Sequence, residues 1–288
     1  MEINKNRFKF AVIGDPLDQS LSPILHEEVF FQLGINGYYK KQLISAENLN
    51  NYLNSRILTS LNGFNVTLPH KNTIMRELDV INTRALDIGA VNCVLNKNNE
   101  LWGFNTDWFG FAMALHKNKI KIKGKVALIL GAGGVSSAVI FALVQNNISK
   151  IIIKNRTKSK IKLIIKQFSS KYKNIEIIEF DEKTEKSKSF DLIINCTSLG
   201  MSSYLNLSPL CLEYIKSNHI IIDTIYNPSE TQLLKDAKKN GAKTLNGLDM
   251  FIYQGLASLD IWFEKNITEK IDYEKLKMKL MNSLCLQN

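Results

Sequence analysis

No apolar run in the chain approaches the ~20 residues that a bilayer-spanning helix requires. The residues before Phe8 carry no apolar signal core, and Phe10-Ala11-Val12-Ile13 is too short to act as one. Together these absences predict a cytoplasmic protein without a membrane partner. Cysteine is scarce: Cys93, Cys196, Cys211 and Cys285 form no Cys-x-x-Cys pair and no metal-type spacing with the four histidines. The expectation is reduced, mostly buried thiols. There is no His-Glu-x-x-His and no carboxylate cluster, so no metal is expected. Acidic residues are outnumbered 27 to 37, a formal charge of +10. A basic balance invites a nucleic-acid reading, but the lysines are dispersed and lack interleaved aromatics. From Lys158 to Tyr172, Ile161, Ile164, Ile165 and Phe168 form one helical stripe, with Lys158, Lys160, Lys162, Lys166 and Lys171 largely off it. That pattern is a solvated face, and nucleic acid is not expected as a partner.

A hydrophobic fraction of 45% over 288 residues suits two soluble domains of ordinary size. The most informative stretch is Lys125 to Thr157. Val126–Leu130 reads as a buried parallel strand, Gly131-Ala132-Gly133-Gly134-Val135 as a tight turn, and Ala138–Val144 as a buried helix. A second strand, Ile151–Ile153, ends in Asn155-Arg156-Thr157. Glycines let backbone approach a pyrophosphate, and the helix N-terminus behind them offers N–H groups to the anion. Ser136 stands where the third glycine of such a fingerprint packs helix on strand. At the second strand's end an NAD-preferring fold places an acid to hold the ribose hydroxyls. This chain has Arg156 there, followed by Lys158 and Lys160, a set suited to the 2′-phosphate of NADP.

The first third repeats the βα rhythm, with strands at Phe8–Ile13, Tyr38–Leu43 and Gly63–Leu68 and helices at Ile24–Leu33 and Ala46–Leu58. Val91–Leu95 and Leu101–Phe104 form a hairpin around Asn96–Asn99. A helix opens at Asp107, and Lys121–Lys125 leads into the nucleotide half. Leu248 to Leu280 is helical in pattern and is expected to return to the first domain. The fold class is therefore α/β in two domains. A substrate domain with a mostly parallel sheet spans 1–107 and is completed by 248–288; a Rossmann-type NADP domain spans 108–247. Ser22 reads as an N-cap, with Pro23 at the first helical position and Gly34 past the end. Ser20 and Ser22 also suit a carboxylate at a helix N-terminus. Asn92, inside an apolar strand, requires a partner. Asp107 by itself reads equally as an N-cap, and Lys71 as a surface ammonium.

Nine segments stand out in order along the chain: Gly14…Ser20-Leu21-Ser22-Pro23, Asn65-Val66-Thr67-Leu68-Pro69-His70-Lys71, Ala90-Val91-Asn92, Gly103–Asp107, Gly131–Gly134, Asn155–Thr157, Asn195–Met201, Asp223–Pro228 and Asn246–Met250 with Gln254. In register, they resemble the shikimate dehydrogenase family over nearly the whole chain. The resemblance implies NADPH-dependent reduction of 3-dehydroshikimate to shikimate, with Lys71 and Asp107 as the catalytic pair. It implies a carboxylate seat on Ser20 and Ser22, assisted by Thr67 and Tyr226, and hydroxyl contacts from Asn65, Asn92, Asp107, Gln254 and Lys71. Cofactor contacts are expected from Gly131, Ala132, Gly133, Gly134, Val135, Asn155, Arg156, Thr157, Lys158, Lys160, Thr197, Thr224 and Gly247. The partner is the small-molecule substrate, and the protein a monomer or homodimer. Gln19, Glu27, Thr83 and Ser137 depart from residues common in the family. A quinate dehydrogenase of broader range shares the motifs. A non-catalytic, ligand-sensing relative would have lost the acid–base pair, which this chain retains.

Overall fold

Short apolar runs punctuated by turns become the strands of two six-stranded sheets, each the centre of its own unit. The computed structural model describes residues 7–55, 60–181, 190–201 and 204–287. The chain divides into Met1–Gly110 with Ile252–Gln287, and Phe111–Phe251.

In the first unit the strands are β1 (Phe8–Gly14), β2 (Gly37–Leu43), β3 (Gly63–Val66), β4 (Val80–Ile81), β5 (Cys93–Lys97) and β6 (Glu100–Phe104). Their order is β2-β1-β3-β5-β6-β4. Only β5 opposes its neighbours; the other pairs are parallel. The reversal is local chemistry: Asn98 and Asn99 both take positive φ, 54° and 67°, as a two-residue hairpin turn requires.

The first helix, α1 (Ser22–Leu33), ends as expected at Gly34 with φ 63°. Its start differs. Leu21 occupies the cap position without a side-chain cap, and Ser22 is already helical. A turn from Ser20 N–H to Leu17 O (3.0 Å) tightens the chain early. Ser20 Oγ, rather than Ser22, accepts a backbone N–H here, from Ser22 at 3.3 Å. The helix expected at Ala46–Leu58 shrinks to a 3₁₀ turn, Ala46–Asn48, and α2 (Leu49–Leu53). Asn48, Asn50, Asn51 and Asn54 are weak helix formers, and the Asn54 amide donates to Asn50 O (2.9 Å). Residues 56–58 of that expectation lie outside the described residues. A 3₁₀ turn at Thr73–Glu77, β4 and α3 (Thr83–Ile88) had no sequence counterpart.

Two further helices carry the chain from one unit to the other: α4 (Asp107–Lys117) and, after the second sheet, α8 (Leu248–Trp262). The last helix, α9 (Tyr273–Gln287), packs on α1 in the first unit, burying Leu276, Leu280 and Leu284. Lys279 meets buried Glu28 at 2.6 Å. Burial would raise the Glu28 carboxyl, but hydrogen bonds from Lys279 and Gln32 outweigh it and hold it below the usual range.

The second sheet holds β7 (Val126–Leu130), β8 (Lys150–Lys154), β9 (Glu176–Glu179), β10 (Leu192–Asn195), β11 (Ile220–Asp223) and β12 (Lys243–Leu245). All are parallel, in the order β12-β11-β10-β7-β8-β9. Numbered from β7, this is the 3-2-1-4-5-6 doubly wound order, with its switch point between β7 and β10. The helices are α5 (Gly134–Gln145), α6 (Lys158–Lys171) and α7 (Gln232–Lys239). On α6, Ile161, Ile164 and Phe168 are buried and the lysines exposed, so the solvated-face reading holds. The thiol expectation needs correction: Cys93 is buried, Cys196 half-buried, and Cys211 and Cys285 exposed. None of the described helices is long and apolar enough to cross a membrane.

An aromatic cluster anchors the first unit. Phe10 stacks on Trp262 (centroids 4.5 Å apart) and His26 on Tyr39 (4.1 Å). Burial holds His26 neutral, pushing its pKa down from 6.5 to about 3 against an opposing hydrogen bond to Asn65. The unfolded chain takes up this proton below pH 6.5 and the folded chain does not. The stabilisation is therefore complete above pH 6.5 and is lost progressively as pH falls towards 3. By pH 5 the loss is about 2 kcal/mol. Urea unfolding of the wild type and His26→Phe at pH 7.5 and pH 5 should show the wild type losing that much relative to the variant. Parallel pH profiles would refute it.

Candidate active site

In the first unit, three segments reach one place because β5 lies between β3 and β6. After β3 the chain turns through Thr67 to Lys71; Asn92 precedes β5; Asp107 opens α4 just after β6. Lys71 Nζ donates to Asp107 Oδ2 at 2.6 Å, both side chains buried. Asn92 Nδ2 donates to Asp107 Oδ1 (2.9 Å) and Thr106 Oγ1 (2.9 Å), and lies 3.3 Å from Gln254 Oε1. Thr106 N–H donates to Asn92 Oδ1 at 2.6 Å, fixing which way the amide faces. The partner that Asn92 required is thus a whole cluster. Asp107 does not cap α4. Asn105 Oδ1 does, accepting from Asp107 N–H (3.0 Å) and Trp108 N–H (3.4 Å), and so leaves the Asp107 carboxylate for Lys71.

The remaining substrate candidates in this unit sit on adjoining loops. Thr67 N–H donates to Ile13 O and Asp15 N–H to Leu68 O, tying the ends of β1 and β3 together. A Cβ on Gly14 would run into Thr67 and Leu68 O, so only glycine permits this approach. Ser20 Oγ and Ser22 Oγ are 3.2 Å apart. Asn65 Nδ2 donates both protons inside the protein, to Asn92 O (3.1 Å) and Ser258 Oγ (2.9 Å), while its Oδ1 accepts from the Tyr39 hydroxyl (2.7 Å). Asn65 can therefore meet a ligand hydroxyl only as an acceptor. Gln254 comes from α8 in the same unit, whereas Tyr226 belongs to the second unit, its ring 4.3 Å from that of Phe251.

All the cofactor candidates lie in the second unit, at the carboxyl ends of its parallel strands. Gly131 has φ 113°, and a Cβ there would stand 3.0 Å from Cys196 O. Gly131 to Gly133, with Ala132 between them, form the turn; Gly134 and Val135 begin α5, whose first N–H groups have no carbonyl of their own helix to bind. Ser136 is fully buried and accepts from Gly133 N–H at 3.2 Å. Beyond β8, Asn155 Nδ2 donates to Thr157 O (3.0 Å). Arg156 and Lys160 are exposed and have no acid partner among the described residues. Lys158 does: Glu179, delivered by β9, lies 3.4 Å away. Thr197 follows β10 and Thr224 follows β11, and Gly247 N–H donates to Ile225 O (2.9 Å) just before α8. The unfilled N–H groups, the glycine approach and the free guanidinium fit a dinucleotide phosphate.

Several residues with a part in these clusters went unread in the sequence. Ser258, buried one turn beyond Gln254 on α8, carried a signal only in its i+4 spacing. Tyr39 carried none. Asn195 and Asp223 stood in recognised segments but without a role, since their contact joins residues 28 positions apart.

Residues 12–94 match the shikimate dehydrogenase substrate binding domain and residues 113–202 match shikimate / quinate 5-dehydrogenase. The shikimate dehydrogenase (NADP(+)) of Caldanaerobacter subterraneus subsp. tengcongensis is 38% identical over 277 residues, 96% of this chain and 99% of that one. That of Methanococcus maripaludis is 42% identical over 253 residues, 88% and 90% of the two chains. A crystal structure of a shikimate dehydrogenase in complex with NADP+ aligns with a TM-score of 0.86 at 36% identity, covering 98% of this chain and 97% of that one. With both halves matched in order and the fold shared from end to end, the chain belongs to the shikimate dehydrogenase family.

Proposed function

We propose that the chain interconverts shikimate and 3-dehydroshikimate with NADP in the cytoplasm, using Lys71 and Asp107 as its acid–base pair. The observation that carries this is the buried Lys71–Asp107 contact with Asn92 on its second oxygen. A buried ion pair contributes little to stability compared with apolar residues of the same volume. Its retention at the end of a strand, among hydroxyl-binding amides, fits chemistry better than folding.

NADP would be held by the turn from Gly131 to Val135, by Arg156 and Lys160, and by the loops bearing Thr197, Thr224 and Gly247. When bound, it supplies or accepts the hydride. The protein's own residues handle the proton. Lys71 points one of its three N–H donors at Asp107 and has two left for the substrate oxygen. As that oxygen gains negative charge during reduction, the ammonium stabilises it and then donates to it. In oxidation the neutral amine takes the proton back. Asp107 orients Lys71 and retains lone pairs for a neighbouring ring hydroxyl. The Gln254 contact with Asn92, the longest of three acceptors around two protons, is the one that yields to a ligand. Ser20, Ser22, Thr67 and Tyr226 would seat the carboxylate.

The direct test is a spectrophotometric assay of shikimate and quinate, each with NADP and NAD. Shikimate with NADP should be at least tenfold better in kcat/KM than with NAD, a difference of about 1.4 kcal/mol. Arg156→Ala should shrink that preference and leave the NAD rate nearly unchanged. No turnover of shikimate would end the proposal, and equal use of the two cofactors would remove Arg156 from it.

Lys71→Ala should cut kcat by roughly 10²–10⁴-fold, with a much smaller change in KM for shikimate, because the ammonium acts mainly on the developing charge. Asp107→Asn should also lower kcat, and the double variant should lose less than the product of the two effects. Near-normal kcat with only a raised KM in Lys71→Ala would make Lys71 a binding residue.

A further inference from the structure

Asp223, at the end of β11, is fully buried and has no cation beside it among the described residues. Such a carboxylate is expensive to keep unless neutral donors surround it. Three do. Oδ1 accepts from Asn195 Nδ2 (3.1 Å) and Ile225 N–H (3.0 Å), and Oδ2 accepts from Thr231 Oγ1 (2.7 Å). These donors come from two different loops. Asn195 ends β10, and its Oδ1 accepts both the N–H (2.9 Å) and the hydroxyl (2.8 Å) of Thr197, while its Nδ2 also reaches Leu199 O (3.2 Å). Thr231 caps α7 at the far end of the loop that bears Thr224 and Tyr226. The loops also fit each other sterically: a Cβ on Gly200 would stand 3.0 Å from Thr231.

We propose that Asp223 is a positioning residue, whose carboxylate locks the loop after β10 to the loop after β11 and so fixes Thr197 and Thr224 for the dinucleotide. The proposal rests on the NADP reading above. Among the described residues its hydrogen bonds run to Asn195, Ile225 and Thr231 and not to the cofactor turn or Arg156, so it acts through Asn195 and Thr231. Burial raises its pKa from 3.8 to about 6 against the pull of its three donors. The neighbouring ionisable group, the Cys196 thiol, is pushed upward by burial and then by the charge of Asp223, and so stays neutral. The negative charge has no ion-pairing function here, and three acceptor sites on two atoms are what the geometry uses.

Asn at this position keeps an acceptor for Asn195 and Ile225 and offers an N–H to Thr231 Oγ1, whereas Ala keeps nothing. Asp223→Ala should therefore raise KM for NADP by about 10–100-fold, the scale of a displaced binding group, while KM for shikimate stays within about twofold. Asp223→Asn should restore most of the loss. In the unliganded full chain, hydrogen exchange at 195–200 and 223–231 should speed up in Asp223→Ala, and less in Asp223→Asn, with β7 and β8 unchanged. If Asp223→Ala does not fold, Asp223→Asn decides by the same measurements: a several-fold rise in KM for NADP with faster exchange confined to the two loops supports the lock. Folded variants with unchanged KM for NADP, or with both KM values raised together and exchange faster throughout, overturn it. If the wild-type chain binds no NADP, the functional reading fails first; if it binds NADP normally and the variants match it, only the lock fails.

Discussion

The first unit is arranged around burying an ion pair without leaving it unsatisfied. Two charges taken out of water cost several kcal/mol each unless their remaining donors and acceptors find partners. Lys71 and Asp107 meet this requirement by recruiting neighbours. Asn92 holds the second carboxylate oxygen, Thr106 holds Asn92, and Asn105 caps α4 so that Asp107 need not. Lys71, Asn92 and the Asn105–Asp107 run come from three different segments, so the cluster forms only if β3, β5 and β6 are adjacent in that order. The Asn98-Asn99 turn secures the β5–β6 half of that condition. A four-atom contact thus sets a requirement on the topology of the whole sheet.

The second unit treats charge in the opposite way. Among the described residues none of its lysines or arginines is buried, and its most deeply buried carboxylate, Asp223, is held by neutral donors. Lys71, in its proposed role in proton transfer, has a counter-charge in Asp107. A charge that only gathers loops needs many donors and no counter-ion. On the proposals above, Asp107 and Asp223 differ in partners because they differ in task.

Local signals carried most of the fold into the sequence. The β7–α5–β8 unit, the α6 stripe and the β5–β6 hairpin were legible because each depends on periodicity or turn chemistry within about twenty residues. What failed was also local in origin. Ser22 has the composition of an N-cap, but the turn at Leu17–Ser20 starts the helix one residue early. The asparagines after Ala46 weaken a helix that its apolar spacing suggested. The site was legible only in part. Residue types marked Asn92 as requiring a partner, while the meeting of Lys71 with Asp107, 36 positions apart, came from family resemblance and not from spacing. Ser258 lies 193 positions from Asn65, and no pattern on a single helix announces that bond.

The start of α6 breaks a rule of helix electrostatics. Arg156, Lys158 and Lys160 crowd the positive end of the helix dipole, the first turn has no acid, and Thr157 makes no side-chain cap. Each of these raises the local free energy by a few tenths to about 1 kcal/mol. Glu179 offsets part of it at Lys158, but both side chains keep solvent contact and the bridge is weak. Among the described residues, Arg156 and Lys160 have no acid partner. A segment that violates capping and dipole preferences together breaks the usual consistency between local preference and structure, as functional sites do. On the NADP proposal, a doubly charged phosphate at that helix end would satisfy the guanidinium, the ammonium and the open N–H groups in a single contact.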